Sequence, residues 1–273
     1  MQGEWIAMSE RDVAALRRRS KGVTVLPLGS IESHGPHLPL GSDPLVLRSV
    51  VRRMAEQEPV AVLPELPYSF VLEATRRPGA IHIESGLLMD LVENICDEAA
   101  RNGFRKIVLI HGHGGNVALH WMFCKRILER GKPYAVYSIP PLPDMGEFFK
   151  TVMDTEVLGH ACEMETSMVM AVEPTLVRMD RLHGRVYRSG RPPDVGPAFT
   201  TVEWVSRWPE MPVGEPACAT ADKGEKIVSE WVDRLVASLR KIKRDRVVLR
   251  VMREFAAERR QGGTLKRYGG RLR

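Results

Sequence analysis

The chain predicts an α/β fold: a doubly wound, mostly parallel sheet flanked by helices, in a single domain with a basic helical C-terminal extension. Two observations carry that expectation. Short apolar runs occur at residues 23–28, 60–63, 106–110 and 134–139, and segments with helical apolar spacing separate the first three and follow the third. The second is size: 273 residues with 44% apolar content suffice for one sizeable core and are far too apolar for disorder. Strands alternating with helices imply a parallel sheet covered on both faces. In such folds ligands bind at the carboxyl ends of the strands.

Taken in order, residues 23–28 read as a buried strand that runs into a Gly- and Pro-rich loop. Asp43-Pro44 then reads as a helix start, with Asp as N-cap and Pro at the first helical position, and the helix extends to about Glu58. Residues 60–63 form a second short strand, and 64–84 are irregular. From Gly86 to Asn102 the apolar residues Leu88, Leu91, Val92, Ile95 and Ala99 fall at helical spacing, and Gly103 ends the helix. Residues 106–110 are the clearest strand and lead directly into His111-Gly112-His113-Gly114-Gly115-Asn116. A helix follows from Asn116 to Arg130, then a strand at 134–139. Residues 140–158 read as a variable loop or small insertion. His160 to Val172 reads as a helix, 184–218 as long loops, and 221–242 and about 244–260 as two further helices. The domain is expected to span residues 1–243 and the basic extension 244–273.

The net charge of +6 invites a nucleic-acid reading, but its distribution argues against one. Residues 240–273 hold thirteen Lys and Arg against Asp245, Glu254 and Glu258, so the tail carries +10 and the body −4. No apolar run of about 18 residues predicts a membrane span, and residues 1–12 contain no apolar secretory core. Cys96, Cys124, Cys162 and Cys218 are widely spaced with no C-x-x-C, which fits a reduced, cytoplasmic protein. Nucleic acid and membrane are thus not expected as partners.

Three segments bear chemistry, each at an expected strand–loop–helix junction. The first supplies Glu32, His34 and Asp43. Glu32 and His34 point the same way in extended backbone, and mixed carboxylate and imidazole donors suit a hydrolytic metal site. Asp43 has two readings, a carboxylate bridging two cations or a simple helix cap. His37 reads more readily as a residue that fixes the loop. The second segment supplies His113. Gly114 and Gly115 leave room for a ligand beside the following helix N-terminus, and the absence of Gly-Lys-Ser/Thr excludes a P-loop. His111, at the strand end, reads as an outer partner. The third segment, His160 to Ser167, carries His160, Glu163 and Glu165. These do not share one helical face, so His160 could shuttle protons only if the helix is irregular at its start. Capping is the competing role for Glu163. His82, His120 and His183 read as structural or surface residues.

On these motifs the chain resembles the creatininase superfamily of metal-dependent amidohydrolases. The family's P-x-G-S-x-E-x-H-G-P-H-L-P-x-x-x-D stands at Pro27 to Asp43. Its N-G-H-G-G-N stands at His111 to Asn116 with His replacing the first Asn. Its H-A-G-x-x-E-T-S stands at His160 to Ser167 with Cys162 replacing Gly. Pro78-Gly79-Ala80 and the stretch from Gly214 through Thr220 to Gly224 are similar to two further family motifs. The likeness spans roughly residues 23–235. It implies a doubly wound fold, often assembled as hexamers, and two divalent cations (Zn, Mn or Fe). It places the metals on Glu32, His34, Asp43, His113 and Glu165, with Asp43 bridging, and gives His160 the transfer of a proton to the leaving nitrogen.

The reaction implied is hydrolysis of a carbon–nitrogen bond in a cyclic amide or formamide by metal-activated water. The alternatives are opening of a keto-inositol ring or ester at the same site, and a non-catalytic oligomeric binding protein with a residual metal site. Creatinine itself is the less expected substrate: the creatinine-hydrolysing members have Tyr-Glu where Gly114-Gly115 stand, and Trp residues in a region where this chain has none between Trp121 and Trp204. Specificity is expected to lie in residues 64–84 and 140–158, and Arg76 and Arg77 there are candidates for an anionic substrate or a solvated loop. The partners expected are a small-molecule substrate and further copies of the chain, with the basic tail at the interface between copies.

Overall fold

The computed structural model describes residues 3–182, 187 and 189–260. Its framework is the expected parallel sheet, four-stranded in the order β2-β1-β3-β4, with every strand pairing parallel. The strands are β1 (Val23–Leu28), β2 (Ala61–Val62), β3 (Lys106–His111) and β4 (Ala135–Ile139). The helices are α1 (Glu10–Arg19), α2 (Ser42–Gln57), α3 (Ser85–Arg101), α4 (Asn116–Glu129), α5 (Gly146–Val152), α6 (Glu163–Val172), α7 (Glu203–Arg207), α8 (Ala221–Arg244) and α9 (Val248–Arg260).

Alternation along the strands divides the core. Val23 and Val25 of β1, with Val108 and Ile110 of β3, pack against α2, α6 and α8 on one face. Leu26 and Leu28, with Ile107 and Leu109, pack against α3 and α4 on the other. All six residues of β1 are buried, as a central strand covered on both faces requires. The chain winds outward from β1 to β2 and then, in the opposite direction, through β3 to β4. The order therefore reverses between β1 and β3, and the loops leaving their carboxyl ends open a crevice there.

Several boundaries differ from expectation, each for a local reason. Helix α2 begins at Ser42 after Gly41, so Asp43 sits inside the first turn and not at the cap, and Pro44 follows it. Helix α6 begins at Glu163 with Cys162 as N-cap, because Ala161 adopts φ +54° and turns the chain before the helix can start. His160 thus lies outside the helix. The short helix α5 occupies part of 140–158, and α7 interrupts the long loops of 184–218. Helix α1, absent from the expectation, buries only Leu16 and carries a weak apolar signal, but Ser9 and Asp12 close a capping box at its start. Helices α6 and α8 approach until a Cβ on Gly224 would collide with the Ser167 carbonyl, which explains a glycine inside α8.

Helix α9 has no fully buried residue. It is anchored at its base by Lys106 Nζ, which donates to the carbonyls of Ile242, Lys243 and Asp245, and by Tyr137, whose hydroxyl donates to Asp245 at 2.7 Å. Among the described residues no helix is long and apolar enough to cross a membrane. His183 and the end of the basic tail lie outside the described residues.

Candidate metal centre

The crevice between β1 and β3 brings together six of the sequence-predicted side chains: Glu32, His34, Asp43, His113, His160 and Glu165. Glu32 and His34 come from the β1–α2 loop, Asp43 from the first turn of α2, and His113 from the turn between β3 and α4. His160 and Glu165 come from the kinked entry to α6 and its first turn. All are buried except Glu165, which is partly buried.

The donor atoms form two overlapping triads. Glu32, Asp43 and His113 make one, and His34, Asp43 and Glu165 the other, with the donor atoms of each triad within 4.8 Å of one another. Asp43 belongs to both, and its two oxygens face opposite ways. Oδ1 lies 3.1 Å from His34 Nε2, and Oδ2 lies 3.3 Å from His113 Nδ1. Ser30, inside the first motif but not singled out from the sequence, donates its hydroxyl to Oδ2 of Asp43 at 2.6 Å and sits 3.1 Å from Glu32 Oε1. His113 Nδ1 is 2.7 Å from Glu32 Oε1, and His34 Nε2 is 3.8 Å from Glu165 Oε2. His160 adds a further triad with Glu32 and His34.

Outer contacts fix the imidazoles. The His34 Nδ1–H donates to the Glu32 carbonyl at 3.3 Å, which turns Nε2 toward the carboxylates. The His160 Nε2–H donates to the Ser33 carbonyl at 2.7 Å, which turns Nδ1 toward Glu165 Oε2, 3.9 Å away. The His113 ring abuts Gly115, where any Cβ would strike its Nε2.

The electrostatics test whether a cation fits this donor set. Burial alone would push the His34 imidazole down, but the Asp43 carboxylate hydrogen-bonded to it, with Glu165 and Glu32, pushes it up to about 10. Burial likewise opposes charge on His113, yet Glu32 and Asp43 raise it well above its ordinary value. Burial opposes charge on Asp43 too, and His34 and His113 hold it well below the carboxylate range. For Glu165 burial prevails and raises it. Three carboxylates thus converge on nitrogens that take up protons to balance them. Divalent cations would satisfy the same oxygens and the same nitrogens, and the donors present therefore fit them.

Other candidates fall outside the cluster. Glu163 turns away and is wholly buried beside Lys223, accepting the backbone N–H of Asp154 at 3.1 Å and of Thr155 at 2.9 Å. His37 holds the loop: its ring pairs with Thr166 Oγ1 at 2.9 Å, its carbonyl accepts from Arg178, and burial pushes its imidazole down to about 4. His111 faces the α3–α4 side, bonded to Ser138 Oγ at 2.8 Å, and burial holds it down at about 3. His120 lies edge-on to that ring, and His82 accepts from the Val71 N–H at 3.2 Å. The guanidinium groups of Arg76 and Arg77 both donate to the Pro209 carbonyl at 3.2 Å, which ties the 72–77 segment to the loop after α7.

The family model described as "Creatininase: Creatinine amidohydrolase" matches residues 7–239. A creatinine amidohydrolase of Pseudomonas putida is 26% identical over 257 residues, covering 80% of this chain and 88% of its own. A mycofactocin precursor peptide peptidase of Mycobacterium tuberculosis is 30% identical over 226 residues, covering 78% and 82%. A 3-dehydro-scyllo-inosose hydrolase of Thermotoga maritima is 24% identical over 280 residues, covering 89% and 82%. Among solved structures, a creatininase described as the Mn form superposes with TM-score 0.74 at 23% identity, covering 90% of this chain and all of its own. A mutant creatininase of Zn–Zn type superposes with TM-score 0.74 at 22% identity, covering 89% and 98%.

Proposed function

The chain belongs to the creatininase family, and on that footing we propose that it is a metal-dependent hydrolase of a carbon–nitrogen bond in a cyclic amide or formamide. The observation that carries the reading is Asp43, whose two carboxylate oxygens serve two buried donor triads at once. Two of its relatives bear names that denote hydrolysis of carbon–nitrogen bonds, a creatinine amidohydrolase and a peptide peptidase.

Glu32, Asp43 and His113 would hold one divalent cation, and His34, Asp43 and Glu165 a second, with Asp43 shared. The donor set suits Zn, Mn or Fe, and the manganese and zinc forms of creatininase structures favour the first two. Such cations lower the pKa of bound water toward neutrality and polarise a carbonyl. The chain's own part is to hold and move protons. Ser30 fixes Asp43 through its hydroxyl, and the carbonyl of Glu32 fixes the tautomer of His34. His160 is tethered through Nε2, so Nδ1 is the atom that carries a proton to the leaving nitrogen.

The reading extends to the rest of the molecule. Cys96, Cys124, Cys162 and Cys218 are all unpaired, which supports a cytoplasmic location. Exposed Leu87, Trp121 and Met122 on α3 and α4 support a homo-oligomer. The break between α8 and α9 supports a boundary near residue 243, with the basic extension available to the interface. The test is metal analysis paired with a hydrolysis screen across formamides, cyclic amides and keto-inositols. Metal-dependent amide hydrolysis is expected. Turnover of keto-inositols alone would replace the amide with a ring-opening substrate, and full activity in Glu32→Ala or His113→Ala would overturn the metal mechanism.

A further inference from the structure

The amino edge of the sheet holds a concavity of about 310 Å³. Three helix ends build its wall. Arg19 closes α1 and Lys21 follows it, Glu58 and Pro59 follow α2, and Arg240, Lys243 and Arg244 stand in the last turns of α8. The lining thus sets five cationic side chains against the single carboxylate of Glu58. Glu58 engages two of them: it accepts from Arg240 Nε at 2.9 Å and pairs with Lys243, which also donates to the Pro59 carbonyl. Arg244 Nε donates to the Arg240 carbonyl at 3.0 Å. Arg19, Lys21 and Arg244 are exposed and enter no ion pair among the described residues. Helix carboxyl ends attract cations, but each carries only roughly half a negative charge. Three such ends and Glu58 fall short of five cations, and roughly two to three positive charges are left without a counter-charge. Neighbouring Lys106 registers the excess: burial pushes it down, and Arg246 and Lys21 push it further against the opposing effect of Asp245. Lys21 is held at φ +54°, a conformation that glycine or asparagine usually takes at a helix end.

We propose that this concavity binds a small oligophosphate through Arg19, Lys21, Arg240 and Arg244. Charge sets the class: a di- or triphosphate neutralises the excess, and a single carboxylate does not. Donor chemistry agrees, because the guanidinium fork matches phosphate oxygens in pairs. Glu58 holds Arg240 through Nε, and the terminal nitrogens of a guanidinium so held can still fork onto phosphate. Shape sets the size: a concavity near the lower limit of ligand pockets takes one compact group, whereas a duplex or a bilayer needs a broad basic face. Arg240, Lys243 and Arg244 belong to the basic stretch that sets the end of the sequence apart, and here that stretch forms part of a built wall. The site and the metal centre lie at opposite ends of α2, which carries Asp43 in its first turn and ends before Glu58, 16 residues or about 24 Å along. The oligophosphate is therefore a second ligand and not the substrate.

The experiment titrates the full chain with sodium tripolyphosphate in a calorimeter, with orthophosphate for comparison. Tripolyphosphate is expected to bind about tenfold more tightly than orthophosphate, the worth of one further bond to a charged group, and to lose affinity as salt rises. Lys21→Gly removes one cation at a position whose backbone suits glycine, and Arg244→Gln removes another from an exposed helix end. Each should weaken tripolyphosphate about tenfold. Lys125→Gln, an equal loss of charge on the exposed face of α4, should leave the affinity unchanged. Asp43→Asn should bind the probe as the wild type does, which separates this site from capture of phosphate at the metal centre. Wild-type affinity in both Lys21→Gly and Arg244→Gln, equal weakening in Lys125→Gln, or lost binding in Asp43→Asn would overturn the proposal. So would tighter binding of anionic vesicles or duplex DNA than of tripolyphosphate. The outcome is independent of the hydrolase reading, since no arm of the experiment measures turnover.

Discussion

Glu163 and Glu165 leave the same helix two residues apart and enter opposite electrostatic environments. Glu163 is wholly buried against Lys223, which also bonds Asp154 at 2.7 Å and the Cys218 carbonyl at 2.8 Å. Burial opposes its charge, but Lys223 and Thr155 hold its carboxyl below the ordinary range. Glu165 accepts the Ala161 N–H at 2.5 Å and meets no Lys or Arg among the described residues, only the imidazoles of His34 and His160, and burial raises it. The same contrast separates Glu93, which burial opposes but Lys132, Arg126 and Arg130 hold down at about 2, from the carboxylates of the cluster. Lysine and arginine keep their charge at any ordinary pH and close a site permanently. Imidazole gives up its proton more readily than either, even where neighbouring carboxylates raise it, and a metal that displaces the proton takes the nitrogen. Which cation a buried carboxylate meets therefore separates a structural pair from a candidate metal centre.

The largest test breaks the cluster. Asp43→Asn keeps size and shape but removes the charge shared by both triads. A metal centre supplies several kcal/mol of transition-state stabilisation, so kcat/KM should fall about 10³-fold, with metal content falling in elemental analysis. Retained metal and activity would show that Asp43 is a helix-turn residue after all. The next test breaks the structural pair. Lys223→Met leaves Glu163 buried and uncompensated, at a cost of roughly 3 kcal/mol in denaturant unfolding, with the metal-to-protein ratio unchanged. Loss of metal in Lys223→Met would erase the distinction between the two carboxylates.

Much of this contrast was legible in the chain, and the rest was not for definable reasons. The strands followed from apolar periodicity, Glu32, His34 and His113 from the loops after them, and Asp43, His160 and Glu165 as site residues only from the family resemblance of the three motifs. The resemblance put Glu165 among the ligands and left Glu163 undecided, and local geometry could not separate them, because an ideal helix from His160 sends the three polar groups to different faces. The left-handed Ala161 resolves this by moving His160 off the helix, and no local signal distinguishes an alanine in that conformation. Lys223 lies 60 residues beyond Glu163 in sequence, so their pairing is purely tertiary. Specificity was expected in residues 64–84 and 140–158. The recess beside Asp43 and Glu165 includes Leu142 from the second of these, but Val46, Met168 and Trp231 come from helices whose apolar spacing reads simply as core.

A third test follows from pH. In the metal-free protein the folded chain raises His34 to about 10, above its ordinary value near 6.5. The folded state then binds a proton that the unfolded state lacks between those values. The stabilisation is complete below about pH 6.5 and drains away as pH rises toward 10, by roughly 1 kcal/mol per unit. His113, raised in the same direction, adds to it. The loaded protein should lack this slope, since its nitrogens carry no such proton, and unfolding curves with and without a chelator compare the two directly. A chelated protein as flat as the loaded one across this range would show that the imidazoles do not carry the compensating charge.

The smallest effect is the sharpest discriminator. Glu163→Gln combined with Lys223→Met removes both charges while the amide oxygen keeps an acceptor for the Asp154 and Thr155 N–H groups. Replacing a buried ion pair by neutral groups of similar size is often neutral or stabilising. The double variant should therefore unfold within about 1 kcal/mol of the wild type, recover most of what Lys223→Met alone loses, and keep full activity. No comparable neutral replacement exists for Asp43 and His113, because there the charge and the lone pair are what a cation binds. An inactive but stable double variant would place Glu163 and Lys223 within the catalytic machinery, and the division between the two carboxylates of α6 would fall.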